Sequence, residues 1–112
     1  MLDKPTVEEL SAVFKALGHP TRLKIVEILG STGHVCVCEL VGQIGCDQTT
    51  ISKHLAVLKS TGVVTSRKEG LNVYYELRLG CAYDFIKCLE RYSGRNGPGL
   101  TCESCRQGSS GS

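Results

Sequence analysis

The chain predicts a mainly helical domain that carries one β-hairpin, and three observations lead there. Apolar residues recur at helical spacing from Val7 to Leu58 and again from Ala82 to Leu89, punctuated by Gly30, Gly33, Gly45 and Gly62. Between those blocks, "VVTSRKEGLNVYYEL" changes to β-branched and aromatic residues on both sides of a turn containing Gly70 and Asn72. The chain has 112 residues, 41% of them hydrophobic and 21% charged, which suits one globular domain with a modest core and argues against disorder along its whole length.

The elements follow in order. "TVEELSAVFKALG" opens with Thr6 and has Glu9 three residues later, a capping-box pattern, with Val7, Leu10, Phe14 and Leu17 at helical spacing. "HPTRLKIVEILGSTG" starts at Pro20, which a first turn tolerates. Its Leu23, Ile25, Val26, Ile28 and Leu29 cover most of the circumference, so this helix is expected to be central, and Gly30 and Gly33 end it. "VCVCELVGQIG" reads as a short third helix closed by Gly45. In "CDQTTISKHLAVLKSTG", Asp47 is the expected N-cap, Ile51, Leu55 and Leu58 form an apolar stripe, and Gly62 follows the last turn. The opposite side presents Thr49, Ser52 and Lys53, with Gln48, Thr50 and His54 at the border.

After the hairpin, Gly80 begins a last helix, "CAYDFIKCLERY". Ala82, Phe85, Ile86 and Leu89 form one stripe, which Cys81, Cys88 and Tyr92 extend around the side. Apolar surface that wide predicts burial on two sides, against the domain itself and against a partner subunit. Residues 94–112 are rich in Gly and Ser and lack periodicity. The expected division is therefore a domain over 1–93 and a flexible, cysteine-containing tail over 94–112.

All of the net charge of +2 lies in residues 47–70, where Lys53, Lys59, Arg67 and Lys68 outnumber Asp47 and Glu69. That is the footprint of a nucleic-acid contact, or of a solvated surface. The first residues lack the basic start and apolar block of a signal peptide, and charges interrupt every long apolar stretch. A cytoplasmic location with no membrane partner is expected. In a reducing compartment the seven cysteines read as thiols, metal ligands or redox switches, and their odd number argues against complete pairing.

Two short helices joined by a tight turn and followed by a hairpin make a winged helix-turn-helix. The third helix is expected to cross the DNA backbone, the fourth to enter the major groove with its N-terminal half, and the hairpin to lie alongside. Gln48 and Thr49, with Thr50 beside them, can offer hydrogen bonds to base edges. Ser52, Lys53 and His54 are better placed for phosphates or flanking bases, and Arg67 and Lys68 charge the wing. His54 has two readings, a DNA contact or a packed, hydrogen-bonded residue.

Four blocks in order, "FKALGHPTRLKIVEIL", "VCVCEL", "QTTISKHLAVLKSTGVV" and "RKEGLNVYYEL", resemble the ArsR/SmtB family of metal-sensing winged-helix repressors over roughly residues 8–90. The resemblance implies a homodimer built from the first and last helices that binds an inverted repeat in double-stranded operator DNA. It implies release when a metal or metalloid ion binds, with one class of ligand site on the "CVCEL" helix. It is therefore a regulator rather than an enzyme that the sequence suggests. "CESC" near the end has a dithiol-enzyme spacing but lacks the strand-to-helix setting such enzymes need.

Cys36 and Cys38 are the expected thiolate ligands, and a helix N-terminus favours the thiolate form. On a regular helix, residues two apart point about 200° from each other, so ligation is expected to distort the first turn. The distortion would disturb the half-site spacing of about 34 Å between two recognition helices. The resemblance also exposes a gap. Arsenical sensors of this family place a third cysteine where this chain has Val41. Cadmium and lead sensors add cysteines from an N-terminal extension, yet the first 35 residues contain none. Zinc sensors use a histidine-bearing site on the last helix, which here has Asp84 but no histidine. The third thiolate is expected from Cys102 or Cys105, within about 30 Å of extended tail, with Cys46 as the other candidate. Three thiolates suit arsenite or antimonite as inducer, with no organic cofactor. Alternatives are a thiol redox or persulfide sensor, or a sensor of cadmium or lead. Cys81 and Cys88 are expected to pack.

Overall fold

A computed structural model describes residues 4–92, and the tail with Cys102 and Cys105 lies outside the described residues. Five helices and three strands follow in the order α1 (Val7–Leu17), α2 (Pro20–Thr32), β1 (His34–Cys36), α3 (Val37–Ile44), α4 (Gln48–Ser60), β2 (Val64–Glu69), β3 (Asn72–Leu77) and α5 (Gly80–Tyr92). The helix and hairpin expectations hold, except that α2 runs on through Gly30 and is closed by Gly33 alone. The capping box of α1 forms in both directions: Glu9 N–H donates to Thr6 Oγ1 at 3.1 Å and Thr6 N–H to Glu9 Oε1 at 2.9 Å. In α2, Ile25, Val26 and Leu29 are buried, which makes it the central helix.

One element departs from the sequence reading. The third helix starts at Val37 rather than at Val35, because residues 34–36 form a strand. β1 pairs antiparallel with β3, in register His34 with Glu76, Val35 with Tyr75 and Cys36 with Tyr74, and gives a sheet of order β1-β3-β2. Three residues are too few to show a period, and this strand exists only because β3, some forty residues later, offers a free edge.

The core gathers Ile25, Val26, Leu29, Val35, Leu40, Ile51, Leu55, Leu58, Val63 and Val64, all essentially inaccessible. It sits where α2, α3 and α4 meet the sheet, so the two helices of the helix-turn-helix are pinned by the same apolar cluster. α5 packs on α2 through Ala82 and Ile86. It comes close because Gly30 has no side chain: a Cβ there would fall on the Tyr83 ring, at Cδ1 and Cγ.

Candidate DNA-reading face and thiol site

The turn into α4 is made by Gly45, at φ 91° in the left-handed region that only glycine adopts without strain, followed by Asp47 as an extended N-cap. Burial of Ile51, Leu55 and Leu58 fixes which way α4 faces. The outward side is a shallow depression lined by Gln48, Thr49, Ser52, Lys53 and Ala56, four of the residues the sequence singles out and one small neighbour. Thr50 is half-buried at its edge. Two amide or hydroxyl side chains at the helix start, followed by a hydroxyl and an ammonium one turn later, can hydrogen-bond base edges and phosphates together.

His54 is held from behind. Arg22 on α2 donates through Nε to His54 Nδ1 at 3.1 Å, and through a terminal nitrogen to the Ala16 carbonyl at 3.3 Å. The His54 ring lies 4.4 Å from that of His19, whose own Nδ1 accepts from Thr21 N–H at 3.1 Å and caps α2. Burial first, then the charges of His19 and Arg22, push the His54 pKa below its ordinary value. The packed, hydrogen-bonded reading of His54 is therefore the arrangement in this structure, with its Nδ1 already engaged. His19 and Arg22 were not singled out by the sequence. His19 directly before a first-turn proline was a capping signal; Arg22 carried none, since its partners lie six and thirty-two residues away.

The wing is tied to α4 by Lys59, whose Nζ donates to Ser66 Oγ at 2.8 Å. Arg67 and Lys68 are both exposed on β2, but consecutive strand residues face opposite ways, so one duplex cannot meet both face-on. Arg67 is also paired with Glu69 at 2.8 Å.

At the thiol site the structure corrects the helical geometry. Cys36 is not in the helix: it ends β1 and serves as N-cap of α3, with extended backbone at φ −86° and ψ 164°. Its side chain leaves the helical wheel, so Cys36 and Cys38 meet as a disulfide with Cα atoms 5.4 Å apart and α3 intact. Distortion of the first turn is not needed to bring the two sulfurs together. Cys36 is buried and Cys38 exposed, and Glu39 steadies the corner by accepting from Cys36 N–H at 3.2 Å. Val41 is half-buried against the core. Cys46 is half-buried too and packs on the same core, while His34 is exposed and edge-stacked on Tyr74. Among the described residues, no three of His, Cys, Asp or Glu gather as a metal-holding group. Reduction of the disulfide would leave two thiols as donors, a match for a soft, thiophilic species.

On the far side, Val7, Leu10 and Phe14 of α1 are exposed, and Phe14 meets Phe85 of α5 edge to face with centroids 6.3 Å apart. Cys81, expected to pack, is exposed in this protomer and lines an apolar groove with Phe14, Leu79 and Phe85; Cys88 is half-buried. No helix among the described residues is long and apolar enough to cross a membrane.

A tight helix-turn-helix with a polar outward face and a basic hairpin tied beside it defines a winged-helix DNA-binding regulator. Residues 19–66 match the family described as "Bacterial regulatory protein, arsR family". An uncharacterised helix-turn-helix transcriptional regulator of Methanocaldococcus jannaschii is 46% identical over 69 residues, covering 61% of this chain and 78% of that protein. The arsenical resistance operon repressor of Staphylococcus aureus is 32% identical over 101 residues, or 90% of this chain and 95% of that one. A cadmium resistance regulator homologue from the same organism is 42% identical over 76 residues, and the match spans 68% of this chain and 63% of that protein. Among solved structures, reduced HlyU from Vibrio cholerae matches with a TM-score of 0.69 at 30% identity, covering 79% of this chain and 92% of that one. A homodimeric winged helix-turn-helix domain from Mycobacterium bovis shares the fold, with a TM-score of 0.73 at 24% identity, covering 88% and 98%. The chain belongs to the ArsR family and is a transcriptional regulator, in a family of DNA-binding proteins rather than enzymes.

Proposed function

We propose that the chain is a homodimeric repressor that holds an operator and leaves it when arsenite or antimonite is bound by Cys36, Cys38 and one thiolate of the tail, Cys102 or Cys105. The observation that carries this reading is the meeting of the two sulfurs at the corner between β1 and α3. That corner touches both DNA-facing elements: α3 packs against α4, and Cys36 is in register with Tyr74 of the wing strand β3. A ligand that fixes this corner biases the recognition helix and the wing together, and a shift in either changes how two half-sites are spanned. The exposed apolar face of α1 and α5 is the surface assigned to dimerisation, and Gln48, Thr49, Thr50, Ser52, Lys53 and one of Arg67 and Lys68 to DNA. His54 acts by bracing α4 through Arg22.

The test uses an operator duplex that the reduced full chain selects from a random-sequence library. Fluorescence anisotropy should report release by arsenite, lost when Cys36→Ser and Cys38→Ser are combined and weakened by Cys102→Ser or Cys105→Ser. Arsenite release that survives the Cys36 and Cys38 changes would remove the site. Cadmium(II) and lead(II), titrated in parallel, decide the ion class, since one relative is named for cadmium resistance.

The Cys36–Cys38 disulfide favours a second reading, a thiol redox repressor. Two thiols and one peroxide would give the disulfide and two waters. Operator release by peroxide, reversed by a phosphine and indifferent to Cys102 and Cys105, would support it over the metalloid reading.

A further inference from the structure

The exposed large apolar residues fall into two groups. Val7, Leu10, Phe14, Leu23 and Phe85 belong to the helical side of the molecule that holds α1, α2 and α5. Leu71 and Val73 stand apart, at the end of the hairpin. Leu71 is 98% exposed, more than any other large apolar residue described. It occupies the second position of a two-residue turn, between the Glu69–Asn72 pair and after Gly70, whose φ of 65° allows so tight a reversal. Only the first position of such a turn needs a positive φ, and Gly70 supplies it, so the backbone at Leu71 permits leucine without requiring it.

We propose that Leu71 is a wedge that enters the minor groove of the bound duplex and opens a base step beside the site read by α4. Three features fit this occupant. The hairpin is held against the recognition helix by Lys59 and Ser66, so its position follows that of α4. Strands of six residues reach about 20 Å, far enough to carry the tip past the major groove. Glu69, which flanks the turn, is paired with Arg67, so Lys68, in register with Val73, leaves the hairpin end net cationic, which complements the phosphates lining the groove rather than an apolar protein surface. Apolar side chains that part base steps are an established way of bending DNA, and pyrimidine–purine steps open most readily. The wedge therefore confers a preference for such a step at a position that forms no hydrogen bond with the protein. It depends on DNA binding and not on the metalloid site.

The experiment uses the full reduced chain and its library-selected operator, with 2-aminopurine placed at successive positions flanking the α4 site. The wild-type chain should raise 2-aminopurine fluorescence at one step. Leu71→Ala should abolish that signal and weaken binding about tenfold, close to 1.4 kcal/mol, with an unchanged melting temperature. Library selection with Leu71→Ala should lose the pyrimidine–purine preference there. Leu71→Lys separates charge from insertion: it should bind without restoring the fluorescence. The proposal is overturned if wild-type binding leaves every 2-aminopurine position unchanged, or if Leu71→Ala binds with wild-type affinity. Loss of self-association rather than DNA binding in Leu71→Ala would make the tip a protein contact and overturn it equally.

Discussion

Replacing Gly30 by alanine should destabilise the protein, although helix propensity alone argues the reverse. Gly30 lies within α2, where alanine is normally better by about 0.5–1 kcal/mol because glycine loses more backbone entropy. Here the new methyl group would overlap the Tyr83 ring, at Cδ1 and Cγ and 2.7 Å from Cε1. The ring cannot withdraw freely, because it lies on α5, whose Ala82 and Ile86 are buried on α2, and Lys87 sits 5.6 Å from its centroid. Overpacking of this kind costs about 1–3 kcal/mol. Set against the propensity gain, the net loss is up to about 2.5 kcal/mol and centred on about 1 kcal/mol. For a domain this size each kcal/mol lowers the melting temperature by about 4–8 °C. Thermal and urea unfolding at one fixed protein concentration would measure it, since association shifts apparent stability. Gly30→Ala in a Tyr83→Ala background should lose most of its penalty, which a double-mutant cycle reads as coupling. A Gly30→Ala chain that melts above wild type would refute the close approach of α5 to α2.

Leu55→Ala, which empties a fully buried position on the inner side of α4, should cost about 2–5 kcal/mol in urea unfolding and weaken operator binding in proportion. Phe14→Glu, on the exposed apolar face, should leave the protomer folded by circular dichroism but sediment as a monomer; a dimer that persists would dismiss α1 from the interface. Stability should fall in mild acid through His54. Its pKa in the fold lies below the ordinary 6.5, so the unfolded chain takes up the proton first. The contribution is complete above 6.5 and is lost as pH falls through that value and below. His54→Gln should flatten this part of the pH profile, whereas a slope equal to wild type would mean that other groups set it.

Much of the fold was legible because it is written in short-range terms. Thr6 and Glu9 announced a helix start, Asp47 and Gly62 bounded the reading helix, and Ile51, Leu55 and Leu58 fixed its inner side. From that stripe the outward position of Thr49, Ser52 and Lys53 followed directly, and the structure adds Gln48 from the border. What was not legible lay wherever a residue's partner is far along the chain. Arg22 reaches His54 across thirty-two positions, and β1 needs β3.

Sequence alone therefore determined the order of the five helices and the hairpin, the polar outward face of the fourth helix and the cysteine pair proposed as ligands. Tertiary structure decided how those parts act. Pairing Cys36 with Tyr74 pulls it off the helical wheel and lets its sulfur reach Cys38 without disturbing α3. Docking of α2 against α4 gives His54 a bracing partner in Arg22. The apolar stripe of α1 has only its end, Ala16 and Leu17, buried within the protomer, and the rest faces outward. Periodicity and caps are energies between neighbours in sequence, whereas these three outcomes depend on strand pairing and packing between segments that only the folded chain brings together.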